Sequence, residues 1–596
     1  MDPAALASLT IYNLPPSPPN FDSLGIFYLT FCATWTALVI AGMVFCWVNR
    51  RSPILRLRGL PLSFAAIICL HLYWILAQIT YPIGGTMPVV LAYDVQYVVM
   101  GTWFPLGIAL FHASNSRFLH VAKLQKLHFT GTGEGSRRGR AGCDGSRTSW
   151  LCRLRNASYT KRIMVPIGIC MIVQVLLTIA MWVSCKKYHP TFGIPGTEIR
   201  GSNIMEQMED LGRGWEWWPT VLWQFVWAWI VAPTMLWKAW SIRDTMGWRT
   251  QTVGCCLASL HATPMFLAAS YAPAFAKINP YFPPSQWLHL SSMAFEIFAI
   301  FVPAIQVIRL RMLSKHTVES NAKWDTSSQA STVRPTSTAF SNYGKCKRVT
   351  SASLLEKGFP SAYKLDSSEL GPEPDCRLLT MSALDYALRE NRGSLQEFSA
   401  LSDFSGENIA FITRVVAWKS SAWPARPASP ESLSVNNETM LNAYNRALDI
   451  YADFISLTLA EFPLNLPSTE LKHLEAMFEK SARILFGDET SINPITPFDH
   501  THQVRDGSRT DSEPDIRRQV RYTGEIPAGF DATAFDSAQK HIKYLVLTNT
   551  WPKFVKEMHQ RRRSSETDRS VVTANSETSI LSKVSSTFSG FIRSIF

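Results

Sequence analysis

The tail that leads into the first apolar run lacks Lys and Arg; it carries Pro15, Pro16, Pro18 and Pro19 instead. A secretory leader opens on basic residues, so the run that follows is expected to be a retained membrane span. Metal-ligand spacing is also missing. The eleven cysteines include no CxxC pair, and the adjacent Cys255-Cys256 opens an apolar segment, so neither a metal nor a cofactor is expected. Charge nearly vanishes from long stretches of the first half, whereas Ser, Thr, Lys, Asp and Glu dominate most of the second. A membrane region joined to a soluble module accounts for that division.

The 596 residues are long enough for several domains, and 47% hydrophobic with 12% aromatic is rich for a soluble protein. A helix needs roughly 20 predominantly apolar residues to cross the hydrocarbon core, because its backbone polar groups must be satisfied within the span. Seven segments qualify, near 24–48, 61–82, 87–113, 163–184, 217–240, 254–276 and 286–309. They define a seven-span region over 24–312, behind an outer tail at 1–23.

Basic residues collect in alternate connections. Arg50, Arg51, Arg56 and Arg58 follow the first span, eleven Lys or Arg lie in the third connection at about 114–162, and Lys238, Arg243 and Arg249 follow the fifth span. The second connection has none, and the fourth offsets its basic residues with Glu198, Glu206, Glu209, Asp210 and Glu216. Cytoplasmic loops carry the basic excess, so the N-terminus is expected outside and everything after the seventh span in the cytosol. The plasma membrane is the expected location, with an internal membrane as the alternative that loop charge leaves open. The net charge of +12 then points to anionic inner-leaflet lipid, and nucleic acid is not an expected partner. The third span ends at Phe111-His112-Ala113-Ser114 without the acidic-Arg-aromatic triplet of rhodopsin-like receptors.

Ionisable groups at membrane depth are costly and call for a partner or a function. Asp94 and Glu296, together with His71 and His261, are candidates for an intramembrane pocket that would take an unknown ligand or a proton; packing bonds between helices are the plainer reading.

From 313 to 379 the chain turns polar, with Ser, Thr and scattered Pro, and reads as a flexible tether. Helical spacing resumes with Leu384, Leu388, Leu395 and Phe398, then with Ile409, Phe411, Ile412, Val415, Val416 and Trp418 behind a capping Ser405. Leu441, Tyr444, Leu448, Tyr451, Phe454 and Ile455 form another apolar face, and Leu471, Leu474, Phe478 and Leu485 continue it after Pro467-Ser468. Phe535, Ala538, Ile542 and Leu545 begin a last core helix. These periods predict a second all-α bundle, interrupted by a polar insertion at about 487–525.

Three segments of that bundle occur in a recognisable order: Ser405-Gly406-Glu407-Asn408-Ile409-Ala410-Phe411, Leu464-Asn465-Leu466-Pro467-Ser468 and Phe535-Asp536-Ser537-Ala538-Gln539. Together they resemble the regulator of G-protein signalling (RGS) domain, and the resemblance extends over 380–559 outside the insertion. It implies a partner, the GTP-bound α subunit of a heterotrimeric G protein, and a role in accelerating hydrolysis of its GTP. Such a domain performs no chemistry of its own. It holds the mobile switch segments of the α subunit, which keeps its own Arg, Gln and Mg²⁺.

Carried over position by position, the resemblance assigns α-subunit contact to Asp403, Glu407, Asn408 and Asn465, and to Asn549, Thr550 and Lys553 in the last helix. A carboxamide both donates and accepts, so Asn408 and Asn465 can orient switch backbone without adding charge. Asn549 stands where members carry Asp, Lys553 where they carry Arg, and Pro552 falls between them. These departures bear on the strength of stimulation and on which α subunit is chosen. The tail at 560–596 adds Arg561-Arg562-Arg563 and an amphipathic pattern through Leu581, Val584, Phe588, Phe591, Ile592, Ile595 and Phe596, which suits a terminal helix lying on lipid. The combination is similar to the receptor-like RGS proteins of plants and fungi. A seven-span receptor or transporter that uses a non-stimulating RGS domain as a docking scaffold is the alternative.

Overall fold

The computed structural model describes residues 10–130, 159–240, 242–330, 378–422, 433–486 and 521–572, and the chain divides into two compact units. Among the described residues regular structure is helical throughout, apart from one isolated bridge between Cys185 and Ile194.

The first unit is drawn chiefly from Met1–Val121 and Ala141–Val307. Among the described residues seven helices, lying wholly or mostly in this unit, are long and apolar enough to cross a membrane: α1 (Ser23–Val48), α2 (Leu60–Thr86), α3 (Val89–Phe129), α4 (Tyr159–Ser184), α5 (Ile204–Trp240), α6 (Trp248–Tyr271) and α7 (Ser285–Lys323). This is the architecture of a multi-pass membrane protein. Leu176, Leu222, Ile172 and Val48 are exposed on the bundle, as residues facing lipid are.

Small residues let α3 approach its neighbours. A Cβ on Gly107 would lie 2.8 Å from Leu70 Cγ on α2, and one on Gly101 would lie 2.5 Å from Thr178 Cγ2 on α4. Aromatic pairs continue the packing along α3: Phe111 meets Phe295 of α7 at 4.6 Å and Phe118 stacks on Trp248 of α6 at 4.1 Å.

Two helices outrun the apolar runs that announced them. The third span is expected to end at 113, yet α3 continues to Phe129, because Phe118, Val121 and Ala122 keep an apolar face buried beyond the last membrane-like residue. At 41 residues α3 is about 60 Å long, roughly twice the hydrocarbon thickness. The tether is expected from 313, but its first part is helical to Ala330; no Gly or Pro interrupts 304–330.

Three π turns share one cause. Val226–Val231, Ile297–Phe301 and Val546–Thr550 each stand two residues before a proline, Pro233, Pro303 and Pro552 respectively. Proline has no N–H to close the ladder and its ring crowds the carbonyl four residues back, so the preceding turn widens to spare that clash. Pro105 and Pro166 lie inside helices without such a turn.

The second unit contains Ala122–Arg140, Ile308–Phe498 and Val504–Phe596. Its helices are α8 (Met381–Glu390), α9 (Arg392–Leu401), α10 (Gly406–Ala422), α11 (Leu433–Phe454), α12 (Ser468–Phe486), α13 (Asp536–Leu545) and α14 (Trp551–Val572). Phe411, Trp418, Tyr444, Phe478, Phe530 and Phe535 meet in one core, with Phe478 stacked on Phe535 at 5.4 Å. Each buried ring contributes about 1.5–3 kcal/mol. Trp418 Nε1 donates to Ala443 O at 2.9 Å, so the largest side chain is buried without an orphaned donor. Most of the insertion, at 487–520, and the amphipathic terminus lie outside the described residues.

Candidate functional site

The site begins where α9 stops. After Leu401 the chain must reverse, and it does so with Phe404 in the left-handed region at φ 48. That conformation is costly for a bulky side chain, by about 1–3 kcal/mol. Phe404 is held there by burial and by flanking bonds, Asp403 N to Phe398 O at 3.2 Å and Ser405 N to Ser399 O at 2.9 Å.

The reversal aims Asp403 at the start of α14. Its Oδ2 accepts from Thr550 Oγ1 at 2.7 Å, Ser405 Oγ at 2.9 Å and Asn549 Nδ2 at 3.4 Å, and its Oδ1 accepts from Lys553 Nζ at 2.6 Å. Lys553 Nζ also donates to Asn549 Oδ1 at 2.7 Å. Four residues that the resemblance singles out, Asp403, Asn549, Thr550 and Lys553, are thus one bonded cluster. The π turn Val546–Thr550 carries Asn549 and Thr550, so the departure at Pro552 shapes the turn without ending the helix.

Burial divides their roles. Asp403 and Thr550, expected as contacts, are 0% and 1% exposed, and in this conformation they face each other and Ser405. Glu407, Asn408, Asn549 and Lys553 are half-buried and Asn465 is exposed. Ser405 is not the side-chain cap expected of it, because its hydroxyl is turned toward Asp403. The first N–H of α10, on Gly406, is instead capped by Gln125 Oε1 at 3.2 Å.

Asn465 is placed by a different set of bonds. Glu479 on α12 accepts from Tyr451 Oη at 2.6 Å and from Ser456 Oγ and Thr458 Oγ1 at 3.3 Å each, and Leu464 N closes back on Phe454 O at 2.8 Å. Burial works to raise the Glu479 carboxyl, but the donors Tyr451 and Arg483 outweigh it and hold it below its ordinary range. The loop carrying Asn465 therefore leaves a braced turn.

In the first unit, the four ionisable residues expected to share a pocket do not all meet. His71 Nδ1 lies 2.8 Å from Glu296 Oε1, with Thr36 Oγ1 on the other ring nitrogen at 3.1 Å and Trp35 Nε1 donating to Glu296 Oε2. Asp94 accepts from Trp182 Nε1 at 2.8 Å, and His261 lies at the break between Trp248–Leu260 and Ala262–Tyr271. Two concavities among the described residues are lined by residues such as Trp217 and Phe266 or Phe104 and Gln224, and by none of the four. The indole partners Trp35 and Trp182 escaped sequence reading because tryptophans are common in spans for packing alone.

Sequence reading also missed the pair Lys187 and Glu216, which lie 2.6 Å apart and buried beside Tyr188 and Leu211. Cys185 shares that core, and burial together with the Glu216 charge pushes its thiol up to about 12. Compared with family models, with curated proteins and with solved structures, the chain matches none.

Proposed function

We propose that the protein is a membrane-tethered regulator of heterotrimeric G-protein signalling, whose second unit lies on the cytosolic side, binds the GTP-loaded α subunit and accelerates its GTP hydrolysis. The observation that carries this reading is the Asp403 cluster. Bonds from Ser405, Asn549, Thr550 and Lys553 to one buried carboxylate tie the start of α10, which carries Glu407 and Asn408, to the start of α14. A surface that stabilises another protein's switch segments must be rigid before the partner arrives, since ordering it afterwards consumes binding energy.

The contact residues are then Glu407, Asn408, Asn465, Asn549 and Lys553, with Asp403 and Thr550 positioning them. Tethering to the spans keeps the domain near membrane-bound α subunits and raises encounter without adding contacts. One observation favours the alternative of a docking scaffold that does not stimulate: Lys553 spends its charge on Asp403 and Asn549, which leaves it less free for a partner.

The test is single-turnover GTP hydrolysis by candidate α subunits with the full chain in nanodiscs. Stimulation that Asn408→Ala and Asn465→Ala each remove supports the regulator. Binding of the activated α subunit without stimulation assigns the scaffold, and no binding at all defeats both.

A further inference from the structure

The second unit holds a segment of α3 against the surface just described. Gln125 is fully buried, with its two amide atoms committed: Oε1 caps Gly406 N at 3.2 Å and Nε2 donates to Glu407 Oε2 at 3.0 Å. One turn on, Phe129 packs on Gly406 and meets Phe462 edge-on at 5.5 Å, and His128 Nε2 lies 3.1 Å from Glu461 Oε2. Gln125 and Phe129 are four residues apart and so share one helix face. That face bridges the residues beside Asn408 and those just before Asn465.

We infer that residues 122–129, the last turns of the third span, are an autoinhibitory plug that occupies part of the α-subunit contact surface and must leave before the partner binds. The inference rests on the proposed function. Glu407 cannot give the same carboxylate oxygen to Gln125 and to a partner in full, and the N-terminus of α10 is closed while Gln125 caps it. The absence of a side chain at Gly406 is what admits the plug: a Cβ there would lie 2.8 Å from Phe129 Cβ and 3.0 Å from Gln125 Oε1.

The contact can be opened from either side. Gln125→Ala removes both hydrogen bonds, and Gly406→Ala places a methyl where the plug sits while leaving residues 122–129 unchanged. Loss of two hydrogen bonds shifts an open–closed balance by about tenfold. With full-length protein in nanodiscs, both variants are expected to raise affinity for the activated α subunit and single-turnover stimulation by about that factor. Amide exchange in 122–129 of the wild-type protein is expected to quicken when the α subunit binds. If wild type and both variants bind and stimulate equally, or exchange in 122–129 is unchanged by the bound α subunit, the plug is overturned while the regulator stands. If none of the three proteins binds the activated α subunit, and both variants keep wild-type melting temperatures, the regulator falls and the plug with it.

Discussion

Lys553 Nζ lies 2.6 Å from Asp403 Oδ1, and the two side chains are 12% and 0% exposed. An ion pair this buried is held in place by its other bonds, here from Thr550, Ser405 and Asn549. Breaking such a pair from one side strands the remaining charge, at about 3–5 kcal/mol. Asp403→Ala is therefore expected to lower the stability of the second unit by about that amount, with Asp403→Asn costing clearly less because it keeps an acceptor for Thr550. Chemical denaturation of the full chain, followed by exchange in α10 and α14, measures the difference; equal losses for both variants would show that the lost charge sets the whole cost and would refute the contribution given to the Thr550 bond.

Glu296 makes a parallel case in the first unit. It is completely buried and bonded to His71 and Trp35. Glu296→Ala leaves His71 without its acceptor and should cost about 2–4 kcal/mol, whereas Glu296→Gln retains an acceptor and a donor and should cost less than half of that. Thermal melts in detergent resolve the two. A drop in melting temperature no larger for Ala than for Gln would show that His71 and Glu296 do not depend on each other.

Pro552 offers a test of local geometry. If the π turn Val546–Thr550 exists to spare the proline ring a clash, Pro552→Ala frees the chain to close an ordinary α-helical ladder. Removing the extra residue per turn rotates Thr550 by about 100° relative to α14 and takes its hydroxyl off Asp403. The expected outcome is slower amide exchange through 546–552 together with at least a tenfold loss of stimulation. Unchanged exchange and stimulation would contradict the role given to Pro552.

Much of this architecture was legible in the residues. The seven spans follow from uncharged runs of membrane length, and the core of the second unit follows from Ile409, Phe411, Trp418, Tyr444 and Phe478 at helical spacing. What escaped was set by contacts far apart in sequence. Gln125 reads as one polar residue in a loop of eleven basic ones, and only the fold places its amide on Gly406 and Glu407, about 280 positions away. Asp403 and Thr550 were legible as residue types but not as buried ones, because a carboxylate and a hydroxyl carry the same pattern whether they face a partner or each other. The pocket expected of His71, Asp94, His261 and Glu296 resolved into separate bonds for the same reason: membrane depth shows that a charge needs a partner and does not say which.

The most direct measurement remains hydrolysis of bound GTP by an activated α subunit, in a single turnover, with the full-length protein in nanodiscs. The Gly406→Ala protein, with its surface uncovered, is expected to accelerate hydrolysis. Asn408→Ala or Asn465→Ala, added to that background, is expected to reduce the acceleration by at least tenfold while leaving stability within about 1 kcal/mol of the parent. Acceleration that persists in both Asn variants, or a well-folded Gly406→Ala protein that never accelerates any α subunit it binds, would contradict the proposed regulator.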